Sequence, residues 1–375
     1  MGRAKSRRRS SPSRCLGSDT MDFTFTDDQR QLAEGIDRLF REQANGTSGA
    51  SLWKALIDMG LTMLPFARED GGLGLGGVEV MIAGKAFGRY LVAEPYLSSI
   101  ILAGTAFRFG ADDQQRLALL PGLIGGDTVA ALAHVGAIEA RPSAEEWTLS
   151  GEARLVLGGD RATMFVIPAG DALFVVPRDA VGLQARAYPL HGGGGAADLH
   201  LDQVKVGAEA RLDAKQALSR SIEAGIGFLA AEASGAAEAA LELTVEHLKT
   251  REQFGRPIGQ NQALQHRAAE MLVEVEQLRS AAIYAALLWT EADDAVRSRG
   301  YAAVKAVVGK SGRFVAQQAV HLHGGLGVSE EHRVSHYFRR LTAIGLLLGE
   351  TASQVRRLTE LGGFTGPEPH WSRAV

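Results

Sequence analysis

The chain has 375 residues, 46% of them hydrophobic and 22% charged, with a formal net charge of -3. This length buries a large core and predicts two or three domains, while the small net charge excludes a general electrostatic case for nucleic acid or an anionic membrane. Cys15 is the only cysteine, so an internal disulfide and a cysteine-built metal site are excluded, and no apolar run approaches the roughly 18 residues of a membrane span. The expected protein is soluble and cytoplasmic, with no metal site.

Residues 1–20 stand apart. Arg7-Arg8-Arg9-Ser10-Ser11-Pro12 is basic and serine-rich, without the apolar stretch of a secretory signal, and reads as a disordered extension before a domain that opens at Met21. From 21 to 127 the pattern is helical. Thr26 and Gln29 make a capping-box pair ahead of Leu32, Ile36 and Leu39 at helical spacing. Ser51 to Met59 is a short helix stopped by Gly60. The glycine cluster from Gly71 to Gly77 has neither the strand-turn-helix setting nor the lysine of a phosphate loop, so it reads as a structural loop. Helices over Val78–Phe87, Ser98–Phe107 and Asp112–Leu119 complete this part.

Near Thr128 the period changes. Val129–His134, Trp147–Leu149, Met164–Ile167, Leu173–Val176 and Leu199–Val204 are short runs rich in β-formers, punctuated by Gly158-Gly159-Asp160 and by Gly192 to Gly195. They predict a small β-domain over 128–207.

The region 208–363 is helical again and predicts a four-helix bundle, with a loose tail over 364–375. A first helix, starting near Gly235, sets Ala237, Leu241, Val245 and Leu248 on one face. Pro257 and Gly259 break the pattern. Leu264, Ala268, Met271, Val275, Leu278, Ala282 and Ala285 then form a second seam, and Tyr301, Val304, Val308, Val315, Ala319 and Leu322 a third, closed by Gly324-Gly325. A fourth segment runs from Val334 through Leu361, with Gly345 and Gly349 weakening its centre. At the break after the first helix stand Arg251, Phe254 and Arg256: a fork donor, an aromatic plate and a second cation. By spacing alone they suit an anionic, partly flat ligand or a hairpin with solvated arginines.

Two motifs lend the chain a family resemblance. Arg251-x-x-Phe254-Gly255-x-Pro257-Ile258 with Gln262, followed by His321-Leu322-His323-Gly324-Gly325-Leu326-Gly327 with Glu331 and Arg339-Arg340, resembles the C-terminal domain of the acyl-CoA dehydrogenase family. The resemblance extends from Met21 onward. It implies an N-terminal helical domain, a small β-barrel or sandwich, and a C-terminal four-helix bundle. It further implies FAD as cofactor, held by Arg251, Phe254, Gln262, His321, Gly324 and Gly325. The implied reaction is α,β-dehydrogenation of an acyl-CoA in fatty acid or lipid catabolism, with electrons passed to an electron-transfer flavoprotein.

The implied base is Glu350, from Glu350-Thr351-Ala352-Ser353-Gln354, which matches the family's Glu-Gly-Thr-Ser-Gln backward from the serine. Ungapped counting from Gly325 lands instead on Leu348. Some members place the base on the first C-terminal helix, at a position that falls here near Gly225, with Glu223 the nearest carboxylate. The apolar approach from Ile344 to Gly349 predicts a desolvated Glu350. The middle domain departs from the family. His134-Val135-Gly136-Ala137-Ile138-Glu139-Ala140 replaces a hydroxyl-rich flavin loop, and Leu155-Val156-Leu157 replaces a Trp-Ile-Thr strand. Three readings follow: a homo- or hetero-oligomeric dehydrogenase, a flavin-poor partner subunit of a heteromer, or a flavin oxidase or monooxygenase on the same fold.

Overall fold

Thr26 and Gln29 form the predicted reciprocal cap, with the Thr26 N–H donating to Gln29 Oε1 at 3.0 Å and the Gln29 N–H to Thr26 Oγ1 at 3.2 Å. They open α1 (Asp27–Gln43), which buries Ile36 and Phe40. The computed structural model describes residues 24–43, 49–143 and 146–363; the extension at 1–20 and the tail at 364–375 lie outside them. Next comes α2 (Gly49–Asp58), followed by Gly60 at a φ of 76°. The glycine cluster is a packed loop: a Cβ on Gly72 would overlap the Phe66 carbonyl. It leads into α3 (Gly77–Tyr90). The helix expected over Ser98–Phe107 has two windings, a π-helical segment Tyr96–Ala103 that runs into α4 (Gly104–Gly110). After it, α5 (Asp113–Ile124) is capped by Asp112 and continues beyond Leu119.

Eight strands follow: β1 (Ala130–Leu132), β2 (Gly136–Pro142), β3 (Glu146–Leu157), β4 (Met164–Ala169), β5 (Ala172–Pro177), β6 (Leu183–Pro189), β7 (Gly195–Gly207) and β8 (Arg211–Asp213). One sheet has the order β1-β4-β5-β8, with β1 parallel to β4; the other, β2-β3-β7-β6, is antiparallel throughout. Leu149, Val156, Leu199 and Val204 of the second sheet share a core with Phe165 and Phe174 of the first. The domain is therefore a sandwich of two sheets and not a closed barrel. The sequence pattern misses β2 and β6. Both are outer strands of their sheet and largely exposed, so no apolar alternation marks them.

The bundle begins with α6 (Ala217–Thr250), which starts well before the expected Gly235. Glycine marks close packing here rather than an end: a Cβ on Gly235 of α6 would overlap the Lys85 carbonyl of α3, and one on Gly88 of α3 the Glu232 carbonyl of α6. A two-stranded ribbon of β9 (Glu252–Gln253) and β10 (Arg256–Pro257) separates α6 from α7 (Gln262–Leu288). Then come α8 (Asp294–His323), α9 (Arg333–Leu346) and α10 (Thr351–Glu360). The predicted seams are buried, from Met271 to Ala285 on α7 and from Tyr301 to Leu322 on α8. The last segment, expected to be continuous, breaks over Leu347–Glu350, where Leu348 has a φ of 55° and Gly349 of 103°. No described helix is long and apolar enough to cross a membrane.

Candidate active site

At one end of the bundle the two motifs meet. Phe254 and Gly255 are the central residues of the β9–β10 turn, with φ of 53° and 76°, the left-handed pair that a tight two-residue hairpin demands. Phe254 is fully exposed, and Arg251, Gln262 and His321 are exposed as well. Among the described residues no carboxylate forms an ion pair with Arg251. Its charge acts on His247, one turn back on α6, and the His247 ring stacks on His323 at 4.5 Å between centroids. His323 sits beside Gly324, which has a φ of 61°, and a Cβ on Gly324 or on Gly325 would find open space. His332 packs beside His323 at 4.9 Å between centroids, with its ring tilted by 57°.

No spacing in the sequence marks this histidine stack, because its members come from α6, the end of α8 and the cap of α9. His323 Nδ1 lies 2.7 Å from the Ala319 carbonyl, so that nitrogen carries the proton and Nε2 is a buried acceptor without a partner among the described residues. Burial and the neighbouring His247 and His332 lower the pKa of His323, although its bond to Ala319 works the other way.

Glu350 lies elsewhere. It is the N-cap residue of α10 and is exposed, so the desolvation expected from its apolar approach does not occur within this chain. The reason is the break in the helix: Leu347 and Leu348 turn inward and are buried, and the carboxylate is left outside. The backbone here is firmly held. Lys305 Nζ, fully buried, donates to the Ile344 and Gly345 carbonyls at 3.0 Å each, and Gln354 Nε2 donates to the Leu348 carbonyl at 3.2 Å. Burial lowers the pKa of Lys305 to about 8.

The two other positions raised by the resemblance touch each other. A Cβ built on Gly225 would lie 2.6 Å from Leu348 Cδ1 and 2.6 Å from Leu102 Cδ2. Neither position supplies a carboxylate. Glu223 is buried and faces away, its oxygens accepting from Arg297 Nε at 2.7 Å and from the Ser298 hydroxyl. A carboxyl that sequence reading missed is Glu94. Its side chain is 4% exposed and pairs with Arg161 at 2.6 Å, in a small cleft also lined by Leu347 and Gly192 to Gly195. Burial raises its proton affinity, with the Arg161 guanidinium pulling the other way.

The altered middle-domain segments are also in view. His134 and Val135 precede β2, and Gly136 to Ala140 form part of it, pairing with β3 rather than standing out as a loop. Leu155 bends β3 with a φ of 51°, and its N–H donates to Asp198 at 3.1 Å.

Comparison with known proteins decides the family. The acyl-CoA dehydrogenase N-terminal domain matches residues 26–127, and the acyl-CoA dehydrogenase C-terminal domain matches 216–361. The chain belongs to the acyl-CoA dehydrogenase family. It is 30% identical over 372 residues to the acyl-CoA dehydrogenase FadE27 of Mycobacterium tuberculosis, covering 90% of this chain and 98% of that protein. The ChsE4–ChsE5 complex of Mycobacterium tuberculosis contains a chain of the same fold, with a TM-score of 0.82, 29% identity, and coverage of 91% of this chain and 98% of that one. The Tcur3481–Tcur3483 steroid ACAD is similar at a TM-score of 0.80 and 27% identity, covering 89% and 97%.

This acyl-CoA dehydrogenase is an FAD-dependent oxidoreductase. Its residues fit the cofactor unequally. The exposed Arg251, the open glycine turn at Gly324-Gly325 and the unpartnered His323 Nε2 suit a phosphate-bearing group that supplies both anion and donors. The stretch from His134 to Ala140 offers no hydroxyl side chain to a flavin ring.

Proposed function

We propose that the chain serves, within an oligomer, the α,β-dehydrogenation of an acyl-CoA thioester to the enoyl-CoA, with electrons passed to an electron-transfer flavoprotein. The observation that carries this reading is the meeting of the Arg251 turn and the Gly324-Gly325 turn through the stacked rings of His247 and His323. When bound, FAD supplies the hydride acceptor. Arg251, Phe254, Gln262 and His321 would hold it from an exposed surface. Arg251, the C-cap of α6, is near the end of α8 through the His247–His323 contact, and Thr351 lies beside Gly309 at the middle of α8, which at 1.5 Å per residue separates the arginine from Glu350 by roughly 20 Å. That spacing suits an arginine serving the cofactor of a neighbouring subunit. Leu272 and Val273, exposed on α7, add apolar surface for such contacts.

In this reading Glu350 takes the α-proton, on a backbone that Lys305 and Gln354 keep in place. The chain itself leaves Glu350 exposed, and the thioester and a neighbouring subunit would cover it.

A second reading has a specific observation behind it. Gly225 and Leu348 meet where the family resemblance places a base, and both are apolar. In that case this chain completes a heteromeric dehydrogenase whose base comes from a related subunit.

One experiment separates them. The flavin spectrum is recorded for the chain alone and with a co-expressed related subunit, followed by anaerobic bleaching with acyl-CoA thioesters. In the first reading Glu350→Gln retains flavin and slows bleaching by about 100-fold or more. Bleaching at the parent rate assigns the base to another subunit. Absence of flavin in both preparations sinks both readings.

A further inference from the structure

The far end of the bundle holds a second cleft. It lies where α6 and α8 begin and α7 ends, between the loop Gly74–Gly76 and α4, and encloses about 480 Å³. Phe66, Leu75, Phe109 and Trp289 give it apolar walls. Three guanidiniums, those of Arg108, Arg220 and Arg297, face a single lining carboxylate, Glu223.

Glu223 has no capacity to neutralise all three. Its oxygens accept from Arg297 Nε at 2.7 Å and from Ser298, while Asp294 behind it accepts from Arg297 Nη2 at 2.7 Å. Arg220 is left with a 3.7 Å contact to the same Asp294, and its Nε is buried without a hydrogen-bond partner among the described residues. Arg108 donates one bond, to the Pro65 carbonyl at 3.3 Å. Both guanidiniums lie over the single ring of Phe109, at 5.2 Å for Arg108 and 5.1 Å for Arg220. Two like charges thus share one aromatic plate, and among the described residues no carboxylate hydrogen-bonds to either.

A buried donor without a partner is a group that a ligand can satisfy. A planar fork prefers a planar oxyanion, and a pair of cations gains twice from one negative charge. The walls add a requirement that inorganic anions do not meet, since their apolar area is covered only by a carbon body.

We infer that this cleft is a binding site for a small free organic carboxylate, its charge between Arg108 and Arg220 and its alkyl or aryl body against Phe66, Phe109 and Trp289. The site does not depend on flavin or on the dehydrogenation reading.

Calorimetric titration of the full chain tests it, with sodium hexanoate, the neutral isostere hexanamide and inorganic phosphate as probes at constant ionic strength. Saturable binding of hexanoate is expected, with hexanamide and phosphate at least about 10-fold weaker. Arg220→Met and, independently, Arg108→Gln should each weaken hexanoate by about 10-fold or more. Arg108 is partly exposed and holds one carbonyl, so its variant carries the test if the Arg220 variant does not fold. No saturation by hexanoate up to about 10 mM overturns the site. So does equal binding of hexanamide or phosphate, or unchanged hexanoate affinity in a folded variant.

Discussion

Gly225 on α6 and Leu348, between α9 and α10, are in contact so close that a single added methyl on the glycine would lie 2.6 Å from Leu348 Cδ1. Two segments more than a hundred residues apart therefore meet, and neither Gly225 nor Leu348 brings a carboxylate to the contact. The pairing explains two features at once. The Leu348 side chain needs the space that only glycine leaves, and its left-handed backbone turns it inward while Glu350 points out.

Gly225→Ala should accordingly destabilise the fold. Alanine gains about 1 kcal/mol of helix propensity over glycine, but overpacking a closed core costs about 1–3 kcal/mol. The second effect is expected to win, and Leu348→Ala in the same chain should recover part of the loss. Urea unfolding of the two singles and the double measures the coupling. A Gly225→Ala protein as stable as its parent would show that the contact relaxes freely.

Arg251→Ala tests the cofactor end of the bundle. Arg251 is exposed and its side chain supports no part of the core, so folding should be unaffected. Loss of a charge-assisted bond to a phosphate should weaken FAD retention by about 1.5–3 kcal/mol. Equilibrium dialysis against FAD reads the change, and an unaltered affinity assigns Arg251 to a solvated turn.

The histidine stack makes an acid-side prediction. Burial, together with the charges of His332 and Arg251, lowers the pKa of His247, and burial with His247 and His332 lowers that of His323. Below the unfolded value near 6.5 the unfolded chain binds protons that the folded one refuses, so stability falls as pH drops through that window. His323→Phe should lessen the fall between pH 7.5 and pH 5.5, as followed by chemical denaturation at both. Parallel losses in parent and variant would remove the stack from the account.

Lys305 predicts the opposite side. Its pKa is lowered to about 8 in the folded chain, against an ordinary value of 10.5. Between these values the unfolded chain holds the extra proton, so stability should rise as pH increases from about 8 toward 9.5. Above pH 10 the trend reverses, because burial raises the pKa of Tyr96 and Tyr301 in the folded chain. Lys305→Met should flatten the rise. It should also lower stability at pH 7 by about 1–3 kcal/mol, since the Ile344 and Gly345 carbonyls lose their donor. Denaturation curves across this range decide, and an unchanged slope in the variant would place the titration elsewhere.

Local chemistry made much of this chain legible before folding. The Thr26–Gln29 cap, the seams on α7 and α8 and the two motifs that mark the family are short-range patterns, and short-range patterns survive in one dimension. What the tertiary structure alone decided involves distance along the chain. The glycines of α6 read as helix breakers in isolation, yet they are what allows α3 to approach, because their missing Cβ is useful only beside a partner. The strands β2 and β6 carry no apolar alternation, and only their ladders to β3 and β7 define them. Glu350 reads as desolvated because the residues before it are apolar, but burial depends on which way the backbone turns at Leu348 and Gly349. The histidine stack and the arginine cleft each gather side chains from separate helices, and no spacing in the sequence encodes a meeting that packing creates.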